Sequence, residues 1–209
     1  GMIFGCGMLY AANLVRANPE FSNGTRIAQA LSGAGIAVLY VCIFAATNLY
    51  DLIPAFVGFT GMAVVTATAV VLSLKHGMPI ALLGLVGGFL TPAMVGSHDP
   101  QAPILFIYLY FVLTGLMVVI RKKCWWLLAI PTVLGAFVWV CLWLFGNNFA
   151  PSDTIYLGLF LMAVSATVVA TSKQQYDQDS TDITDLLKVT TMLNYLTLGG
   201  AMLLTGVIA

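Results

Sequence analysis

Charged residues are scarce in this chain of 209 residues: Asp, Glu, Lys and Arg together make up 8% of it, whereas 60% of the residues are hydrophobic. The eight basic residues balance the eight acidic ones, so the formal net charge is zero. A soluble protein this apolar could not cover its surface with polar groups, and a neutral chain has no basic field for nucleic acid. The composition therefore excludes soluble enzymes and nucleic-acid-binding proteins, and it predicts that the chain's partner is a lipid bilayer.

Histidine and cysteine are also rare, with two and four residues respectively. Cys6, Cys42, Cys124 and Cys141 are irregularly spaced, without a Cys-x-x-Cys pair or a nearby histidine. We interpret them as buried single thiols, and we predict neither a metal site nor a cofactor. The apolar runs carry no ionisable residue in their interiors and no Gly-x-Ser-x-Gly motif, so the sequence offers no machinery for proton-coupled exchange or intramembrane proteolysis.

Long apolar runs dominate the chain, and the mean hydropathy is +0.99. A helix of about 20 apolar residues crosses a hydrocarbon layer, whereas the strands of a membrane barrel would alternate polar and apolar residues, which stretches such as Ala63 to Leu74 do not. We predict an all-α fold: a polytopic transmembrane helical bundle of about eight spans, forming one domain over residues 1–209. The spans are expected at about 1–15, 27–47, 52–74, 78–96, 104–120, 124–145, 154–171 and 189–209.

The basic residues are confined to alternate loops between these spans, and Lys and Arg in short loops favour the cytoplasmic side of a membrane. All eight basic residues lie in the odd-numbered loops: Arg16 and Arg26, then Lys75, then Arg121, Lys122 and Lys123, then Lys173 and Lys188. The even-numbered loops carry Asp51, Asp99 and Asp153 instead. We therefore expect a bacterial cytoplasmic (inner) membrane protein whose odd loops are cytoplasmic and whose two ends lie outside.

The charge pattern also has a period. A shift of the chain by 48 residues superposes Asp51 on Asp99 and Lys75 on Lys123, which indicates a bundle built from repeated helical hairpins. The chain begins and ends within apolar runs, so we expect an interior portion of a longer protein. Its partners would then be further transmembrane helices of the same chain or, in a homo-oligomer, a second copy.

The fourth predicted span contains the most distinctive local pattern. Gly84 and Gly88 form a Gly-x-x-x-Gly pair, which allows close helix packing, and Pro92 removes a backbone donor. We expect the two glycines at a helix–helix contact, and a kink or a short unwound stretch between Gly87 and Pro92.

Two interpretations of this span remain open. The first is a packing groove with a kinked end. The second is a broken helix whose freed backbone groups line a solute path together with Thr91 and with Thr66 and Thr68 of the third span, because non-helical backbone at membrane depth survives only against protein or water.

The run ALLGLVGGFLTPAMVGS (residues 81–97), with LSGAGIAVLYVCIFAATNLYDLIPAF (residues 31–56) before it, resembles a family of large bacterial predicted membrane proteins of unknown function. In that family an LGLLGGFLTP-like helix follows an LYxxLFAAYxLYxLLP-like hairpin. The resemblance covers about residues 1–97 by motif and the remainder by hydropathy alone. It implies a longer, multi-spanning protein, but no activity, cofactor or catalytic residue.

Three functions are compatible with the sequence. The first is a non-enzymatic structural or scaffolding module of a larger envelope protein or assembly. The alternative is an uncoupled transporter or channel for an uncharged or lipid-like solute, with the fourth span as its broken element. The third, ranked last, is a membrane enzyme that uses Asp51, Asp99 and Asp153 for acid–base chemistry on lipid.

The predicted topology can be tested with single cysteines at positions 99 and 122. Asp99→Cys should react with a membrane-impermeant thiol reagent in intact cells, whereas Lys122→Cys should be protected, because the basic loops are expected inside. Equal labelling of the two positions would contradict the topology.

Overall fold

A computed structural model of the chain describes residues 1–18, 23–95, 101–146 and 153–176, together with isolated positions between 191 and 206. The chain divides into two compact units, Gly1–His98 and Asp99–Ala209. All regular structure in the described residues is helical.

The first unit contains four helices: α1 (Met2–Ala17), α2 (Gly24–Phe44), α3 (Ala55–His76) and α4 (Met78–Val95). Helix α2 continues directly into a π-helical turn at Ala45–Leu49. Helix α2 contacts all three other helices, and α3 packs closely on α4. The shared core is formed by apolar residues of α2, α3 and α4: Ile36, Tyr40, Ile43, Met62, Val65, Ala69, Ile80 and Val95.

The second unit contains α5 (Ala102–Lys123), α6 (Ala129–Phe145) and α7 (Thr154–Tyr176). Helix α5 packs against both α6 and α7. One end of this core is aromatic, because the ring of Phe106 lies 5.9 Å from that of Trp143 and 5.0 Å from that of Phe160, measured between centroids. The indole nitrogen of Trp143 donates a hydrogen bond to Asp153 at 3.2 Å. This bond ties α6 to the start of α7.

The predicted fold class, an all-α membrane bundle, is confirmed. Five helical segments are long and apolar enough to cross a membrane, and α1 and α6 are shorter apolar helices. The five are Gly24–Leu49, Ala55–His76, Met78–Val95, Ala102–Lys123 and Thr154–Thr171. The eighth predicted span, 189–209, falls largely outside the described residues, and the arrangement of all spans in a single bundle stays a prediction.

The helix ends follow from local backbone chemistry. Pro54 precedes α3 in an extended conformation, so α3 begins at Ala55. Gly77, with φ of 98°, ends α3 and allows α4 to begin at the next residue. Cys124 adopts the left-handed conformation at the end of α5, and a 3₁₀ turn follows, so α6 begins at Ala129 rather than at the predicted residue 124.

The expected hairpin repeat has a partial counterpart in the structure. A shift of 48 residues carries the bounds of α3 and α4 to within about three residues of those of α5 and α6. The packing differs, however, because α3 has α4 as its main partner whereas α5 packs most extensively against α7. The repeat therefore matches in helix length and not in packing.

The prediction of a short unwound stretch between Gly87 and Pro92 is wrong. Helix α4 continues without a break from Met78 to Val95 with Pro92 inside it. The hydroxyl of Thr91 donates to the Gly87 carbonyl at 2.7 Å, which keeps this turn closed beside the proline. A bend of α4 at Pro92 stays a prediction.

Helices α1 and α2 approach each other through two glycines, which provides a matched test of the packing. A Cβ atom at Gly5 would lie 2.9 Å from Leu39 Cγ and 3.2 Å from the Gly35 carbonyl oxygen, whereas a Cβ atom at Gly7 would meet nothing within 4 Å. We expect Gly5→Val to lower the free energy of unfolding by about 1–3 kcal/mol through overpacking.

Gly7→Val is the control for this experiment, because it adds the same side chain to the same helix in open space. Its stability should equal or slightly exceed that of the wild type, since valine is a better helix former than glycine. Thermal unfolding in detergent measures both variants. Equal losses would show that α1 and α2 do not meet at Gly5.

Candidate functional site

The interior of the first unit contains three buried polar side chains, one from each of α2, α3 and α4. They are Tyr40, Thr66 and Thr91, and all three are buried, Thr91 completely. The Tyr40 hydroxyl lies 2.7 Å from Thr66 Oγ1, and Thr66 donates its proton to the Met62 carbonyl at 2.9 Å. Because a threonine hydroxyl has only one proton, Tyr40 is the donor to Thr66.

The ring of Tyr40 also lies against α4 at Gly87. A methyl group at Gly87 would overlap the tyrosine ring and would lie 2.6 Å from its hydroxyl oxygen. The carbonyl of the same glycine accepts the hydrogen bond from Thr91. Tyr40, Thr66, Gly87 and Thr91 therefore form one contact region, hereafter the Tyr40 cluster, in which α2, α3 and α4 meet.

The other residues predicted for this site surround the cluster. A Cβ atom at Gly84 would lie 3.3 Å from Ala69 Cβ and 3.4 Å from a Val70 methyl group, so this glycine faces α3. Gly88 is buried, and Pro92 is half-buried in the last turns of α4.

Thr68 does not join the Tyr40 cluster. Its hydroxyl donates to the Val64 carbonyl of its own helix at 2.8 Å. Two residues along a helix correspond to about 200° of rotation, so Thr68 and Thr66 project from opposite sides of α3. The three residues of the predicted path, Thr66, Thr68 and Thr91, are thus not all brought together.

Sequence reasoning missed Tyr40, the residue that joins the cluster. The available signal was a single tyrosine in the middle of an apolar run, where a buried phenol needs a hydrogen-bond partner. Its position relative to Gly87 depends on the pairing of α2 with α4, which no local pattern in the sequence specifies.

The π-helical turn lies at the end of the first unit that carries Asp51, hereafter the acidic end. The amide of Tyr50 donates to the Ala45 carbonyl at 3.0 Å, five residues earlier. Thr47 in this turn is buried and donates to the Ile43 carbonyl at 2.8 Å, and a methyl group at Gly58 of α3 would overlap it. The turn is therefore packed against α3, and Asp51 follows it with φ of 48°.

The opposite end of the first unit, hereafter the basic end, contains the residues around the α3–α4 turn. His76 is only 1% exposed, and its Nδ1 lies 3.3 Å from the Leu72 carbonyl oxygen. The charges of Arg16 and Lys75 both act on its imidazole. Arg16 and Lys75 therefore lie at one end of this unit, and Asp51 lies at the other.

The carboxylates considered for acid–base chemistry have different surroundings. Asp51 is exposed in the first unit, Asp153 is half-buried beside Trp143 in the second, and Asp99 lies outside the described residues. Within the described part of the chain, no three His, Cys, Asp or Glu side chains are grouped as a metal site requires.

The interpretation of the four cysteines as buried thiols is wrong, because none of them is fully buried. Cys6 and Cys124 are exposed, whereas Cys42 and Cys141 are half-buried. An apolar run identifies a helix that crosses lipid, but it does not specify which of its faces is directed outward.

The long apolar helices and their buried, locally hydrogen-bonded hydroxyl groups define a polytopic α-helical membrane protein. The chain belongs to the family described as predicted membrane protein (DUF2339), which matches residues 1–207. The resemblance inferred from the glycine-rich run of α4 is thus confirmed, and the match extends well beyond the motifs that carried it. Comparisons with curated proteins and with solved structures gave no match.

The contact between Tyr40 and Gly87 can be tested by adding one methyl group. Gly87→Ala should lower the free energy of unfolding by about 1–3 kcal/mol, because the methyl group overlaps a ring that is held by Thr66. The loss should shrink in a Tyr40→Leu background, in which the ring is absent.

Gly158→Ala in α7 is the control, since a Cβ atom there meets nothing within 4 Å. Thermal unfolding in detergent measures all variants. A Gly87→Ala protein as stable as the Gly158→Ala protein would show that Tyr40 does not rest on α4.

Proposed function

We propose that this chain is a non-catalytic helical module that stabilises a larger membrane protein or envelope assembly. The observation that carries the proposal is the packing of the Tyr40 cluster. At the level where a solute path was predicted, Thr66 and Thr91 are bonded to protein groups, and the space left by Gly87 is filled by an aromatic ring. Within this cluster the bond between Tyr40 and Thr66 joins α2 to α3.

The outward faces of both units support the same function. They expose large apolar side chains, such as Ile3 and Phe56 in the first unit and Phe145 and Met162 in the second. In a membrane such faces are covered by lipid or by other helices. We propose further transmembrane helices of the same longer chain, or a second copy of it, as the partners of the module.

We further propose that the protein lies in the bacterial cytoplasmic membrane with its odd-numbered loops in the cytoplasm. Support comes from the first unit, where Arg16 and Lys75 lie at the basic end and Asp51 at the acidic end. Basic residues in short loops favour the cytoplasmic side.

An uncoupled transporter for an uncharged or lipid-like solute is the second candidate, and the π-helical turn at Ala45–Leu49 favours it. Such turns occur frequently at functional sites and change the register of a helix. A movement of this turn along α2 would shift Tyr40 relative to Gly87 and would open the cluster. Because the cluster presents hydroxyl groups and no charge, the solute would be neutral.

Cysteine accessibility and solute flux separate the two functions. In a protein whose four native cysteines are replaced by serine, Thr91→Cys should resist a small charged methanethiosulfonate reagent, because position 91 is fully buried. Asp51→Cys is the control at an exposed position and should react rapidly in permeabilised vesicles. Vesicles that contain the wild-type protein should take up erythritol no faster than protein-free vesicles.

A positive test of the module addresses assembly in native membranes. Gly84→Leu should disrupt the face of α4 that packs on α3. A module with disrupted packing should no longer hold its partners, so the protein should shift to smaller species on native electrophoresis. Thr91→Val, which keeps the volume, should not. Rapid labelling of Thr91→Cys together with an erythritol flux that Thr91→Val alters would overturn the module and favour the transporter.

A further inference from the structure

Two polar atoms at the basic end of the first unit are buried without a hydrogen-bond partner. They are the hydroxyl oxygen of Ser32 in α2 and Nε2 of His76 in α3. Ser32 is 0% exposed and His76 is 1% exposed. A buried polar atom left in this state destabilises the fold, so each requires a hydrogen-bond partner that the described residues do not supply.

Ser32 departs from the behaviour of the other buried hydroxyl residues in the described helices. Those residues donate to a carbonyl three or four positions earlier in their own helix, which is the usual arrangement in membrane helices. They are Thr47, Thr66, Ser73, Thr91, Thr132 and Thr197. The hydroxyl of Ser32 makes no such bond.

Ser32 and His76 also lie at about the same level of the core. The side chain of Gln29 reaches Gly77, because its amide nitrogen would lie 2.7 Å from a Cβ atom there. Ser32 lies about 4.5 Å further along α2, at a rise of 1.5 Å per residue. The ring of His76 turns back along α3 towards Leu72, which brings Nε2 towards this level.

We propose that Ser32 and His76 bind one buried water molecule that bridges α2 and α3. The Nδ1–H group of the neutral imidazole donates to the Leu72 carbonyl, which leaves Nε2 as an acceptor. The water donates to Nε2 and accepts the hydroxyl proton of Ser32. Buried waters typically make about three such bonds to groups that are otherwise unsatisfied.

The chemistry of the site selects water over an ion. Both atoms are shielded from the surface, so the ligand is small. A cation would be repelled by the charges of Arg16 and Lys75, which already act on His76, and an anion would be repelled by the lone pair of the acceptor Nε2. The site is separate from the Tyr40 cluster and does not depend on the function proposed for the module.

The sign of one stability change tests the proposal. If a water bridges the two atoms, Ser32→Ala removes one of its partners, and the melting temperature of the full chain in lipid vesicles should fall by about 2–4 °C. If the two atoms are simply unpaired, the same substitution removes a buried unsatisfied group and the melting temperature should rise. Ser73→Ala is the matched control, because the Ser73 hydroxyl is bonded within α3.

Direct detection uses the histidine ring itself. In a His98→Gln background, ¹⁵N-labelled histidine reports on His76 alone, and water-edited solid-state NMR should transfer magnetisation from bound water to its ring. Ser32→Ala should slow this transfer, and Ser73→Ala should leave it unchanged. Failure of the transfer in the unsubstituted site, or a higher melting temperature for Ser32→Ala, overturns the proposal.

Discussion

The side chain of Tyr40 fills the space that Gly87 leaves on α4, and the packing of three helices in the first unit depends on this contact. The missing side chain at Gly87 lets the ring lie directly on the α4 backbone, and the ring in turn places its hydroxyl against Thr66 of α3. Gly84, one turn away, brings α4 close to α3 at Ala69 and Val70. The glycines of α4 therefore act as two adjacent contact points, one for each neighbouring helix.

Hydrogen bonding within each helix explains how so apolar a bundle accommodates its hydroxyl groups. In hydrocarbon no solvent competes for a hydroxyl, so most of the described Ser and Thr residues return their proton to a carbonyl of their own helix. Thr91 does this at Gly87, beside an internal proline, and α4 keeps its helical geometry there. The glycines and the proline therefore predicted more disruption than α4 shows.

The sequence predicted the helical class and the approximate position of each described helix. Both follow from hydropathy, which can be calculated for any stretch of about 20 residues without knowledge of the rest of the fold. It also singled out Gly84, Gly88 and Thr91 as candidate site residues, since small and polar residues stand out in an apolar helix, and their part in a site stays a prediction. It did not reveal Tyr40, the π-helical turn or the unpaired Ser32, because these depend on which faces of α2, α3 and α4 meet. The sequence of a membrane bundle only weakly specifies which face of each helix meets its neighbours, because lipid and protein interior are equally apolar.

The two ends of the first unit have different physical characters, and this difference constrains how the unit could move. At the acidic end, Thr47 is packed against Gly58, and the π-helical turn provides a register that can shift without loss of every backbone hydrogen bond. At the basic end, α3 and α4 are joined by Gly77 alone, which leaves little freedom between them. Any motion that opens the Tyr40 cluster would therefore pivot about the basic end, where Gln29 lies against Gly77, and would displace α2 most at its far end. Such a motion would leave Ser32 and His76 near the pivot, so a bridge between them would persist while the cluster opened.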